Sequence, residues 1–289
     1  MDNTFDKIFY EEGSLIGGVD ESGVSDIAGP LVAACVILPK MLTNVRKYNL
    51  KIFEVMDCKE VPERYRKGYA EVIWETATAI GIGEVSPSEV DYLGKEEATK
   101  LAMVRAVIAC KTTSKAKPKQ PDFLIVDGER PVPVKIKQIA ILNADKKSLC
   151  VASASIIAKV YRDEIMIRLH EKFPQYDWIS NKGYPCENQF TGIDKNGIQI
   201  GIHRTKRWPF IHNERFAENA NKWIERRKKW RLKTTKSLVN DIEEGLWTTK
   251  PRLLKLSKNC KKQLQTEVKH GKGTKPSKKE PRERKKSTT

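Results

Sequence analysis

The sequence predicts an α/β body built around one central sheet and followed by a basic extension, and three observations lead there. Short apolar runs that end on turn residues or acids alternate with longer stretches of helical spacing, the pattern of strands and helices mixed along one chain. With 31% of its 289 residues charged, the chain holds apolar material for one good core. Charge is also divided unevenly: residues 211–289 carry 24 Lys or Arg against 9 Asp or Glu, a net +15 of the chain's +17, so the body is almost neutral.

Leu15 to Asp20 (LIGGVD) and Leu31 to Leu38 (LVAACVIL) read as neighbouring strands joined by a loop containing Gly23, Gly29 and Pro30. Pro62 to Thr76 has helical spacing, with Tyr65, Tyr69, Val72 and Ile73 expected on one face and Pro62 near the start. Thr78 to Val85 reads as a third strand, weakened by its glycines. Ser86 to Leu93 opens with a capping signal, and Lys95 to Cys110 reads as a longer helix. Phe123 to Val126 is a compact strand ending on Asp127-Gly128, and Ile139 to Leu142 is another that runs into Asn143-Ala144-Asp145. Ser148 to Leu169 follows as a long helix, with Ala152, Ile156 and Val160 at successive i+4 positions.

In the extension, residues 213–233 read as a basic amphipathic helix and 237–246 as a second short one, with Trp223, Trp230 and Trp247 along the way. Beyond Lys269 almost no apolar residue remains, and disorder is expected. The divisions are an N-terminal extension over 1–14, the main domain over 15–214, a basic helical extension over 215–257 and a lysine-rich tail over 258–289. A basic appendage on a neutral body suits a polyanion such as nucleic acid, because phosphate contacts release condensed counterions; a solubilising tail has the same composition.

Cys35, Cys58, Cys110, Cys150, Cys186 and Cys260 are scattered without a C-x-x-C pair, and the first seventeen residues show no basic-then-apolar signal. Reduced thiols in a cytoplasmic or nuclear protein are expected. No apolar run is long enough to span a membrane. With four histidines in all, no zinc site is expected.

Three acidic sites share a context. Asp20 and Asp127 end apolar strands, and Asp145 lies a few residues beyond one. Strand ends on one edge of a sheet converge, hard divalent cations such as Mg²⁺ prefer oxygen ligands, and a two-metal nuclease holds its ions about 4 Å apart with several carboxylates. Each acid also has an ordinary explanation. Asp127-Gly128 fits a turn, Asp145 fits a cap for the following helix, and Asp20-Glu21 fits a solvated loop.

The segment GVDESGVSDIAGPLVAACVIL, from Gly18 to Leu38, resembles the opening strand and loop of bacterial ribonuclease HII. The likeness continues in order. Asp57-Cys58-Lys59 is similar to that family's Asp-Ser-Lys motif, LIVDG ending at Gly128 to its second acidic strand, and Asp145 with KKSLCVASASIIAKVYRD to the segment of its fourth acid and following helix. NKGYPCENQF at 181–190 and GIHRTKRWPF at 201–210 resemble its last blocks, so the likeness spans roughly residues 14 to 210.

The resemblance implies a ribonuclease H-like fold, with a five-stranded mixed sheet flanked by helices and a helical C-terminal part. It implies hydrolysis of the RNA strand of RNA/DNA hybrids, leaving 3′-hydroxyl and 5′-phosphate ends, with two Mg²⁺ or Mn²⁺ ions. The acids it implies are Asp20, Glu21, Asp127 and Asp145, with Asp20 bridging both ions. Asp163 competes for the fourth place, but it stands four residues after Lys159 on the helix, where an ion pair explains it. Lys59, Lys159, Arg162 and Arg204 fall in family blocks and are candidates for phosphate contacts or for tying down the acids, each with a surface ion pair as the ordinary alternative. Tyr184 matches a tyrosine that stacks beneath the sugar or base, with a core tyrosine as its alternative.

Departures also show. Gly23-Val24-Ser25 stands where the family has Gly-Arg-Gly, a loop that holds the ribonucleotide, so Val24 supplies no charge and Ser25 adds a Cβ. Cys58 replaces serine, Cys186 threonine and Gln189 histidine, while His203 is expected to be structural. The spacing of the last two acids is similar to the single-chain bacterial type, so a monomer with no obligate protein partner is expected, cytoplasmic with the nucleoid or, in a eukaryote, nuclear. Two other readings keep the fold: a catalytically weak nucleic-acid-binding protein, and a nuclease with a changed substrate.

Overall fold

Among the described residues, the apolar runs of the body become strands or the buried sides of helices. The computed structural model describes residues 4–10, 14–40, 61–112 and 119–205. In chain order these form α1 (Thr4–Lys7), β1 (Ile16–Ser22), β2 (Leu31–Ile37), α2 (Glu63–Thr76), β3 (Ala79–Val85), α3 (Pro87–Leu93), α4 (Lys95–Ala109), β4 (Phe123–Asp127), β5 (Lys137–Ile141), α5 (Leu149–Lys172), α6 (Trp178–Asn181) and α7 (Glu187–Asn196). Lys59 with its Asp57-Cys58-Lys59 motif, and the whole extension from residue 206, lie outside the described residues.

The five strands form one mixed sheet in the order β3-β2-β1-β4-β5. β2 runs antiparallel to both β1 and β3, whereas β4 runs parallel to β1 and β5. Helices cover both faces, which is why β2 is apolar at every position. Its Leu31, Ala33, Cys35 and Ile37 meet the α4 side, while Val32, Ala34 and Val36 meet the side of α2 and α5. A third cluster joins Ile27, Ala28 and Met166 to Tyr176, Trp178 and Ile193 in the C-terminal helical part.

Close approach of helices to the sheet depends on glycine. A Cβ added to Gly18 in β1 would lie 2.1 Å from the carbonyl carbon of Cys150, so α5 rests directly on that strand. Gly81 and Gly83 of β3 do the same for α4, where a Cβ would meet the carbonyl oxygens of Ala106 and Ala102 at 2.1 and 2.0 Å. Gly18→Ala is therefore expected to push α5 off the sheet and lower stability by about 3 kcal/mol or more. Urea unfolding measures this, and a loss under about 1 kcal/mol would contradict the contact.

Local sequence explains the helix starts. Ser86 caps α3 in a reciprocal box, accepting from the Glu89 N–H at 3.3 Å and donating its own N–H to Glu89 Oε2 at 2.8 Å. Ser148 caps α5 by accepting from the Val151 N–H at 3.2 Å. Asp6, from the short α1, adds a second acceptor, taking the Cys150 N–H at 3.2 Å. Phe9 stacks on Phe123 with ring centroids 5.1 Å apart, which fixes the N-terminal segment against β4.

One helical face differs from expectation. α2 buries Ala70 and Ile73, but Tyr65 is 52% exposed and lies against the Arg64 guanidinium instead. At about 3.6 residues per turn, Tyr65 stands well off the Ala70–Ile73 side. The described cysteines, Cys35, Cys110, Cys150 and Cys186, are free thiols. No helix among the described residues is long and apolar enough to cross a membrane.

Candidate active site

Parallel pairing of β1 and β4 sets Val19 beside Val126. One residue further on both strands come Asp20 and Asp127, so the two acids stand side by side toward the C-terminal ends of these strands. β4 pairs in turn with β5, Asp127 opposite Ile141. Past β5, Asn143 adopts a left-handed backbone (φ 53°) and turns the chain into a single 3-10 turn, Ala144–Lys146, that carries Asp145. Asp127 Oδ1 accepts the Ala144 N–H at 2.6 Å, so this turn hangs from the Asp127 carboxylate.

Asp20 and Asp145 are both buried, and Asp20 Oδ1 accepts the Glu21 N–H at 2.7 Å. Ser155, on the second turn of α5, hydrogen-bonds to the Asp20 carboxylate. Burial holds the Asp20 carboxyl well above its ordinary range, and the negative charges of Glu21 and Asp127 push it further the same way. The bonds from Ser155 and from the Glu21 amide pull in the opposite direction and are outweighed. A buried carboxylate crowded by two others favours the arrival of a cation.

These placements decide between the ordinary explanations of the acids. Asp20 and Glu21 lie within β1, not in a loop. Asp127 does more than turn the chain, since its side chain holds the Ala144 amide. The cap of α5 is Ser148, so Asp145 is left without that duty. Asp163 forms the ion pair with Lys159 that its helical spacing implies, at 2.7 Å. Among the described residues, no three or more His, Cys, Asp or Glu side chains form a ready-made metal cage. The donor set at this edge is all carboxylate oxygen, with no thiolate or imidazole, which suits a hard cation such as Mg²⁺ or Mn²⁺.

Arg162 and Arg204 require correction as phosphate contacts. Both are fully buried, 1% and 0% exposed, and are spent on the backbone of the loop that follows β1. Arg162 donates from Nε to Pro30 O, from Nη1 to Lys182 O and from Nη2 to Ala28 O, at 3.0, 2.8 and 3.0 Å. It also pairs with the Asp26 carboxylate at 2.6 Å. Arg204 donates from Nε to Gly29 O at 2.9 Å and from Nη1 to the carbonyls of Gly23 and Asp26. In that loop Val24 is half-buried against the apolar cluster under α4, and Ser25 is exposed.

Tyr184 is 57% exposed, which removes the core reading of this residue. Its backbone is fixed instead: the Tyr184 N–H donates to Asn181 O at 2.8 Å and its carbonyl accepts from Gln189 Nε2 at 2.8 Å. Gln189 is buried and also accepts from the Trp178 indole at 2.6 Å. Cys186 occupies the N-cap of α7 without a side-chain bond, so that helix lacks the cap a threonine could supply. His203 is buried against Tyr176 and Trp178, as a structural residue would be.

Sequence reasoning missed Ser155 and Asp26. The run of small residues from Ala152 to Ser155 was the only signal for the first, and none marked the second as the carboxylate facing Arg162.

A mixed sheet in this order, with Asp20 and Asp127 side by side on its central parallel strands, defines a protein of ribonuclease H-like fold. The family model described as ribonuclease HII matches residues 17–216. A ribonuclease HII of Caldanaerobacter subterraneus subsp. tengcongensis is 40% identical over 201 residues, which cover 69% of this chain and 77% of that protein. Two solved structures share the fold. The ribonuclease H2 of Pyrococcus horikoshii OT3 superposes with a TM-score of 0.55 at 22% identity, covering 72% of this chain and 98% of that one. The ribonuclease HII of Archaeoglobus fulgidus, solved as a complex with PCNA, gives 0.52 at 25% identity, covering 67% and 96%. The chain belongs to the ribonuclease HII family, and as such it is an endonuclease of the ribonuclease H class.

Proposed function

We propose that the chain hydrolyses the RNA strand of RNA/DNA hybrids, using two Mg²⁺ or Mn²⁺ ions held by Asp20, Glu21, Asp127 and Asp145. The observation that carries this reading is the side-by-side placement of Asp20 and Asp127 on paired parallel strands, with the turn bearing Asp145 tied to Asp127 through the Ala144 amide. Such ions supply a nucleophile at neutral pH and positive charge for the leaving oxygen, giving 3′-hydroxyl and 5′-phosphate ends.

The protein's part is placement. Asp20 lies between Glu21 and Asp127, and Ser155 fixes its orientation. Tyr184 presents an exposed ring to the sugar or base, and Lys159, partly exposed beside Asp163, supplies positive charge to the phosphates. Lys59 is assigned the same role from its motif. The loop Gly23-Val24-Ser25 offers no charged side chain, and Val24 turns toward the core, which favours continuous hybrids over a single ribonucleotide embedded in DNA. All four acids come from one chain, which supports activity as a monomer without an obligate protein partner. We place the catalytic domain at residues 15–214, with the basic extension raising affinity for duplexes, in the cytoplasm with the nucleoid or in a nucleus.

The test is cleavage of an end-labelled hybrid by the full chain with Mg²⁺ or Mn²⁺, beside a duplex carrying one ribonucleotide. Asp127→Asn is expected to lose at least about a hundredfold in kcat, since it removes a carboxylate from the set that holds both ions. Undiminished cleavage by that variant would remove the metal reading, and tight binding without cleavage by the wild type would favour a binding protein.

A further inference from the structure

The loop that leaves β1 just after the acids is moulded on two buried guanidinium groups. Carbonyl oxygens of Gly23, Asp26 and Gly29 turn onto Arg204, and those of Ala28 and Pro30 turn onto Arg162. Gly23 has φ +90°, and a Cβ there would lie 2.1 Å from Arg162 Nε, so the backbone passes as close to the guanidinium as a residue without a side chain allows. Arg162 also reaches the Tyr184 segment. Arg162 Nη1 donates to Lys182 O at 2.8 Å, and Gly183 O accepts the N–H groups of Ile27 and Ala28 at 2.9 and 3.3 Å. Arg204 follows His203, which bridges to Ala28, and the Thr205 N–H is held by Asp91 Oδ2 at 2.8 Å.

Burying two cations is a poor route to stability, because desolvation offsets most of the attraction, and apolar packing of equal volume is often as stable. What a planar fork with five fixed donors does supply is a defined shape for the chain around it. We infer that Arg162, Arg204 and Asp26 are positioning residues: they bind the loop 23–30 and Tyr184 into one rigid wall whose fit to the ribonucleotide strand sets substrate affinity. This rests on the proposed reading, in which the RNA strand lies against that wall beside the acids. The two guanidinium groups hold loop carbonyls, Lys182 O and Asp26, so the clamp is expected to act on binding more than on the chemical step.

The experiment compares full-length wild type with Arg204→Lys and Arg162→Lys, each checked by circular dichroism and melting temperature, in steady-state cleavage of a hybrid. Lysine keeps the charge but cannot span the separated carbonyls. KM is expected to rise about tenfold with kcat within about twofold, as misplacement of a wall by a fraction of an ångström would give. Arg162→Lys combined with Tyr184→Ala is expected to raise KM by less than the product of the two single effects, because the clamp acts partly through that ring. An unchanged KM in a folded variant, a fall in kcat at constant KM, or full additivity with Tyr184→Ala would each overturn the clamp. Where a lysine variant fails to fold, Asp26→Asn carries the same test: a threefold or so rise in KM is expected, and no rise overturns the inference. If the wild type leaves the hybrid uncut, the functional reading fails. The clamp is then decided by duplex affinity in EDTA, where an equal Kd for wild type and Arg204→Lys rejects it.

Discussion

Asp20→Asn is expected to raise the melting temperature of the metal-free protein by several degrees while abolishing cleavage. The wild-type carboxyl is buried beside Glu21 and Asp127, and its pKa in the folded state lies well above the model value of 3.8. A carboxyl shifted this way contributes stability that is fully present below pH 3.8 and is lost as pH rises through its folded value. Above pH 3.8, ionising this carboxyl costs the folded protein more than the unfolded chain. Asparagine keeps an oxygen to accept from the Glu21 amide and from Ser155 but removes that charge. The gain should be larger at pH 8 than at pH 4 in EDTA. Mn²⁺ should reverse the ranking, because a cation that binds only the folded wild type stabilises it by mass action. Melting curves at both pH values, with and without metal, read all of this. A variant that melts below the wild type at pH 8 in EDTA would show that the acids do not repel as described.

Acid should weaken the fold through His203, with the opposite sign. Burial lowers its pKa from 6.5 to about 3, so the folded state keeps a neutral ring while the unfolded chain takes up a proton. Stability from this residue is complete above pH 6.5 and falls as pH drops toward 3. Across pH 7 to 5 the loss amounts to about 2 kcal/mol, from a slope of about 1.4 kcal/mol per pH unit once the unfolded histidine is charged. Urea unfolding at the two pH values measures it. His203→Gln should be less stable at pH 7, where its bond from the Gln199 N–H changes, but should lack this share of the acid dependence. An identical pH slope in the variant would assign the acid sensitivity elsewhere.

Much of the sheet was legible because its strands are short apolar runs with ends marked by acids or turn residues. Alternation is missing in β2 for a readable reason, burial on both faces. The glycines of β3 weakened its strand signal because their use lies outside the strand, in the backbone of α4. The acids were legible as strand ends, but a strand end does not tell which neighbour it meets. The parallel pairing of β1 with β4, more than a hundred residues away in sequence, supplies that information. Arg162 and Arg204 were read as candidates for phosphate contacts or for tying down the acids because residue type dominates a local reading. Nothing local reveals that the carbonyls of residues 23–30 converge on them. Tyr65 was misplaced because four apolar or aromatic residues within nine positions can be drawn onto more than one helical stripe.

Helix α5 gives up Ser155 to Asp20, Lys159 to Asp163 and Arg162 to the loop, all within about two turns of one rod. A rod shared this way has no independent joints. Any change that rotates or slides it must move the carboxylate edge, Lys159 and the loop together. Substitutions beneath α5, at Gly18 or among its small residues, should therefore show strong epistasis with substitutions at all three places. Evolution could retune one of them alone only by changing residues that the rod does not carry, such as Val24 and Ser25 in the loop after β1, and leaving its seat on the sheet unchanged.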